Sequence, residues 1–166
     1  AVLGAKAEAA VPALSGRLNT SESGFRTAII ETLGRIGPAA AETTPALVAT
    51  LQSGPAEQRL AALRALGQFG AKAVAASPVV QTLTRDPVAE MRAAAFKTAS
   101  RITQDAETLL PLLAGGLEDS EPMVRTAAAE ALGHEAAVGE RGLGADADVV
   151  FAGFGAEGAL AVEGAG

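Results

Sequence analysis

The sequence predicts an all-helical chain built by repetition, a solenoid of about four two-helix units, and three observations carry that prediction. Four prolines, Pro12, Pro45, Pro78 and Pro111, recur at a single step of 33 residues. Four arginines, Arg26, Arg59, Arg92 and Arg125, keep the same step. The third observation is compositional: 49% of the chain is hydrophobic but only 3% aromatic, and 40 of its 166 residues are Ala. With no Trp and no Tyr, a core must be made of Leu, Val, Ile and closely packed Ala, which suits helices laid side by side. Proline makes up ~5% of an average chain, so three further prolines on one step have odds on the order of 10⁻⁴. Self-similarity at such a period is the signature of stacked repeats.

The elements follow in order within each unit. The first helix carries apolar residues at helical spacing, as in Val11, Leu14 and Leu18, and its proline is best tolerated in the opening turn. Leu14 and Leu18 return as Leu47 and Leu51, then as Leu83 and Leu117 with the register sliding by about one residue. Ser53, Asp86 and Ser120 are the expected N-caps of the second helices, with Pro55, Pro87 and Pro122 just inside them. The second helices should bury Ala28, Ile29, Leu33 and Ile36 in one unit and Ala61, Ala62, Leu66 and Phe69 in the next. The blocks LGRIG (33–37), LGQFG (66–70), ASRIT (99–103) and LGHEA (132–136) close successive units, and Gly37 and Gly70 offer the left-handed conformation that stops a helix. No helix pair of this kind can bury its apolar side alone, so neighbouring units must stack.

Two places break the pattern. Ala1 to Gly4 reads as the end of an earlier repeat, which implies an array that begins further upstream. After Ala136 the period fails: the last 29 residues hold eight Gly, position 144 is not Pro and position 158 is not Arg. The expected organisation is therefore a repeat array over 1–136 and a Gly-rich, acidic C-terminal cap or tail over 137–166. A degenerate closing unit, a flexible tail and a shifted reading frame all compete for that segment, with an irregular, partly ordered cap favoured.

The global numbers exclude several chemistries. Zero Cys removes disulfide frameworks, thiol nucleophiles and Cys-ligated zinc, without fixing the compartment. No apolar run approaches the ~20 residues of a membrane helix, so the chain reads as soluble. The formal charge of −6 is unevenly placed. Up to Leu117 there are 11 Lys and Arg against 9 Asp and Glu; from Glu118 onward the balance is 2 against 10. A nucleic-acid binder would carry a basic face, and this balance argues against one.

The strings TRDPVAEMRAAAFKTA (84–99) and EDSEPMVRTAAAEALG (118–133) resemble HEAT repeats, of the short variety named after the phycobilisome (PBS) lyases. The resemblance covers about residues 1–136 and implies a right-handed α–α superhelix whose second helices line the concave side. Tetratricopeptide repeats share a similar period, but their Trp and Tyr positions have no counterpart here. The resemblance also implies a structural role for the ladder of Arg26, Arg59, Arg92 and Arg125, each bonded to an Asp in the preceding turn. Asp86 and Asp119 each lie six positions before their arginine; Thr20 and Ser53 occupy that place in the other two units.

A second row of side chains is the candidate functional feature. Positions five and nine after each ladder arginine lie on one helical face. They read Glu31 and Arg35, Arg64 and Gln68, Lys97 and Arg101, then Glu130 and His134, a basic strip with acidic ends. Arg35, Arg64, Gln68, Lys97 and Arg101 are the expected partner-binding residues, and an ordinary solvated helix face is the competing reading.

Catalytic constellations are missing. His134 and Glu135 form the one His-Glu pair, a feature of the HEAT-like iron enzyme deoxyhypusine hydroxylase. In that family the pair follows the repeat arginine and recurs in several units, whereas Thr126 and Ala127 stand there in this chain. A single His cannot supply a di-iron site, so no metal and no cofactor is expected. The usual nucleophile and base pairs cannot be assembled. GLGADADVV lacks the Lys of a phosphate loop, and Asp146 with Asp148 lacks the further ligands of a calcium loop.

The expected function is that of a non-enzymatic scaffold that binds another protein or peptide along the concave face. It would work as part of a longer chain or a complex, with no nucleic acid and no membrane as partner. The alternative is a bilin lyase or chaperone-like subunit acting on a chromoprotein, implied only by the repeat subtype. A HEAT-like DNA glycosylase ranks third, disfavoured by acidity and by the lack of an aromatic cradle for a flipped base.

Overall fold

A computed structural model describes residues 7–18 and 22–142 of the chain, with side chains as far as His134. All regular structure among them is helical. The order is α1 (Val11–Arg17), α2 (Ser23–Ile36), a 3-10 helix (Gly37–Thr43), α3 (Thr44–Ser53), α4 (Ala56–Phe69), a second 3-10 helix (Gly70–Ala76), α5 (Ser77–Leu83), α6 (Ala89–Ile102), α7 (Ala106–Leu117) and α8 (Pro122–Gly142). The chain divides into two compact units, Ala1–Leu132 and Gly133–Gly166. The described part of the second, through Gly142, is helical, which carries helix past the expected end of the array at residue 136. Ala1 to Gly4, Thr20 and residues 143–166, including Asp146 and Asp148, lie outside the described residues.

The first helices start as their prolines dictate. Pro12, Pro45 and Pro78 sit in the opening turns of α1, α3 and α5, where a missing N–H costs nothing. Pro111 departs from this and falls inside α7. The cause lies at the preceding unit boundary. Gly37 and Gly70 leave their helices at φ +75° and +60°, with ψ −142° and −144°. That mirror-image extended region, rather than the expected left-handed helical one, is open essentially to glycine alone. Thr103 stands one step later and cannot follow, so it exits at φ −87°, ψ 126°. Its unit has no 3-10 segment; Asp105 caps the next helix at once, accepting the Glu107 N–H, and α7 begins early enough to enclose the proline.

The second helices are capped differently from the expected pattern. Ser53 closes α3 and its hydroxyl bonds back to the Ala49 carbonyl. Pro55 and Val88 are the N-cap residues of α4 and α6, and neither contributes a side-chain bond. Asp86 instead folds an Asx turn, accepting the Val88 N–H at 2.9 Å. Asp119, not Ser120, does the same ahead of α8, accepting the Glu121 N–H at 2.9 Å. A carboxylate two residues before the N-cap position fixes the turn that enters the helix.

Packing runs from unit to unit. α2 lies against α4 and α4 against α6, and the substantial contacts among the described residues join elements of the same or adjacent units. Ile29, Leu33, Ala61, Ala62, Leu66 and Phe69 are buried as the periodicity predicts. Ala28 is exposed and Ile36 only half-buried, while Ile30 is fully buried in their stead. A helix clasped between two neighbours buries a wider arc than one stripe, and Ile30 belongs to that wider arc. Each buried Leu or Ile contributes roughly 1.5–3 kcal/mol. Small residues set the spacing: a Cβ on Gly34 would lie 2.9 Å from the Ala65 Cα, and one on Gly116 2.8 Å from both Phe96 and Ala128. Polar bonds pin the same junctions. Thr98 donates to the Leu63 carbonyl at 3.0 Å, and Gln58 donates to the Ser23 carbonyl and hydroxyl at 3.2 and 3.0 Å.

Candidate functional site

The ladder arginines fall at the same point of each second helix and reach across unit boundaries. The Arg59 guanidinium donates to Asp86 Oδ2 at 2.7 Å and, through Nε, to the Leu51 carbonyl at 3.0 Å. Arg92 grips Asp119 with two parallel bonds of 2.8 Å and also donates to the carbonyls of Asp86 and Pro87. Arg59 and Arg92 thus each take the carboxylate of the following unit, 27 residues on, and only backbone carbonyls of their own unit. The expected pairing, an arginine with the Asp six positions before it, is corrected to this one. The helix-leading turn presents its carbonyls to the arginine that follows, while its carboxylate is turned toward the neighbouring unit. Arg125 completes the series with bonds to the Asp119 and Ser120 carbonyls, and Arg26 is half-buried at the other end.

This charge pairing shifts both partners. The Arg92 hydrogen bonds, followed by the Glu121 N–H, hold the Asp119 carboxyl below its ordinary value despite partial burial. The Arg92 guanidinium is raised further by the same bond. Both partners are held further, Arg92 by the Asp86 and Pro87 carbonyls and Asp119 by the Glu121 N–H, so the charges of the pair are also hydrogen-bonded.

The second row lies on the exposed side of α2, α4 and α6. Two depressions are cut into it. The first, of about 640 Å³, is lined by Arg35, Arg64 and Gln68 over a floor that includes Gly34, Ala61 and Ala65. The second, of about 320 Å³, is lined by Arg64, Gln68, Lys97 and Arg101 over Gly67, Ala93 and Ala94. Arg64 and Gln68 belong to both and form the wall between them. The five side chains expected to bind a partner are therefore brought onto one surface, with Glu31 at its edge.

The electrostatics of that surface differ from a plain basic strip. Arg64 faces Glu90 at 3.7 Å, and Lys97 bonds Glu130 at 2.7 Å. Both pairs are more than half exposed, so they contribute little to stability and exchange readily with water or a ligand. No ion pair among the described residues involves Arg35 or Arg101. Glu90 and Met123 also line the second depression, and the sequence reading had not singled them out. They share one repeat position, two residues before the ladder arginines, so a column read at that offset would have found them.

His134 is exposed, and no three His, Asp or Glu side chains gather as metal ligands among the described residues. No helix among them is long and apolar enough to cross a membrane.

In a comparison with protein families, the family model for HEAT repeats fits residues 44–133, more than half of the chain. Neither the curated proteins nor the solved structures yield a match.

Proposed function

We propose that this chain, a member of the HEAT repeat family, is a non-enzymatic scaffold that holds a partner protein against the exposed face of its second helices. HEAT repeats typically mediate protein–protein interaction, and stacked helices are suited to it because they offer a long surface of regular pitch. One observation carries the reading. Two joined depressions run across α2, α4 and α6 and share a wall, with Arg and Lys at their rims and Ala and Gly on their floors. Small side chains let a ligand backbone approach closely, and the rim supplies orientation through charge. Arg35, Arg64, Gln68, Lys97 and Arg101 are the residues assigned to contact the partner.

The test compares wild type with the Arg64→Glu/Lys97→Glu double variant in affinity capture from the source lysate, after matching thermal stabilities. Proteins retained by the wild type and lost by the variant support the reading. The same set on both would remove this face as the binding surface.

A further inference from the structure

Arg35, Gln68 and Arg101 occupy one repeat position, spaced by 33 residues. They are all exposed, and together they make a row that crosses three successive helices. Arg64 and Lys97, one turn earlier on their helices, already face carboxylates of the following unit. Arg35 and Arg101 face none among the described residues. Two unmatched guanidinium groups thus flank a carboxamide.

We infer that this row holds an extended segment of a partner protein carrying two carboxylates, one for Arg35 and one for Arg101, with its main chain laid over Gln68. The inference rests on the protein-binding function proposed above and names the chemistry of the ligand. A guanidinium fork matches a carboxylate in two parallel bonds. A carboxamide is donor and acceptor at once, the pair of functions a peptide main chain presents. The spacing follows from the packing. Helices in contact lie about 8–10 Å apart, so two steps separate the arginine positions by about 16–20 Å. An extended chain covers roughly 3.3 Å per residue and alternates its side chains between faces, which sets the two acidic residues about six positions apart, both turned toward the row. Ala65 and Ala94 leave the path between them clear, and Met123, 48% exposed, offers an apolar contact beside Arg101.

A nucleic acid fits this face less well. Neither depression has an aromatic ring on which a base could stack, and with Glu31, Glu90 and Glu130 along it the face offers only two cations outside the ion pairs of the described residues, enough for two separated carboxylates but not for a continuous run of phosphates.

The experiment uses the full chain and synthetic eleven-residue peptides, with fluorescence anisotropy for affinity and amide chemical-shift changes for location. The probe peptide has two glutamates six positions apart; comparison peptides have them two apart, or replaced by glutamine. The six-spaced peptide should bind best and shift the Gln68 and Ala65 amides. Arg35→Ala and Arg101→Ala should each weaken it by up to about fivefold, the upper end of the range of exposed charge pairs. Arg35→Glu/Arg101→Glu should weaken it at least tenfold; Arg85, exposed in the turn between α5 and α6 and lining neither depression, is the control, and Arg85→Ala should leave it unchanged. Equal binding of all three peptides with shifts on this same row would overturn the two-carboxylate ligand while leaving the protein-binding function intact. Shifts confined to the first helices would overturn both. Failure of the six-spaced peptide to bind at millimolar concentration, or tighter binding of a single-stranded oligonucleotide at the row, would overturn the inference. The capture experiment then decides the function separately.

Discussion

Arg92, on the second helix of one unit, holds both carboxylate oxygens of Asp119, in the turn that opens the second helix of the next, through two bonds of 2.8 Å. The same turn is tied to its own helix, since Asp119 accepts the Glu121 N–H and Arg125 donates back to the Asp119 carbonyl. Arg59 and Asp86 repeat the arrangement one unit earlier with a single bond between side chains. The ladder therefore joins these successive units through charged bonds in addition to their apolar contacts.

Removing the centre of this ladder should cost more than removing its end. Arg92→Ala deprives Asp119 of both side-chain bonds, and at 15% exposure that carboxylate has little water to turn to. Arg125→Ala loses only bonds to backbone carbonyls of an exposed turn. Thermal unfolding followed by circular dichroism should place Arg92→Ala clearly below Arg125→Ala. The reverse order would show that the two-pronged bond does not stabilise the stack.

Acid should act through the same pair. The Asp119 carboxyl is held low chiefly by the Arg92 hydrogen bonds, so the folded chain binds its proton less readily than the unfolded chain does. Stability from this group is then complete above the unfolded value of about 3.9 and is lost as pH falls through the lower folded value. Asp119→Asn should be less stable than wild type at pH 7, and the gap should close below about pH 4. A gap that stays constant from pH 7 to pH 3 would exclude the ion pair as its source.

Close approach of α2 and α4 depends on Gly34. Its added Cβ would meet backbone and Cβ of Ala65 at 2.9 and 3.1 Å, so Gly34→Ala should destabilise by about 1–3 kcal/mol. Gly115, exposed on α7 with nothing within 4 Å of its added Cβ, provides the opposite case. Gly115→Ala should stabilise by about 0.5–1 kcal/mol through helix propensity and a less flexible unfolded chain. Urea denaturation of the two variants should move the midpoint in opposite directions.

The boundary after α4 depends on backbone freedom. Gly70 sits at φ +60° with open space around its added Cβ apart from an ordinary contact to the Arg101 carbonyl, so strain and not crowding governs substitution there. Gly70→Ala should cost about 1–2 kcal/mol in the same urea measurement. A neutral result would mean that the chain can leave α4 as it leaves α6 at Thr103, through an extended conformation.

The sequence by itself determined the number of units, the helix pairs within them, most of the buried stripe and the face on which Arg35, Arg64, Gln68, Lys97 and Arg101 lie. Those features are local: a helix repeats every 3.6 residues, so burial and facing are written in the order of residues along one segment. It misplaced the caps because Asp86 and Asp119 fold turns two residues ahead of their helices' first bonds. It could not choose between a carboxylate six positions back and one 27 positions on, nor foresee that Glu90 and Glu130 would face Arg64 and Lys97. Those pairings were decided by the offset at which one unit settles on the next. That offset is set by contacts such as Gly34 against Ala65 and Gly116 beneath Phe96, where the separation of two backbones depends on side chains from different units meeting in space.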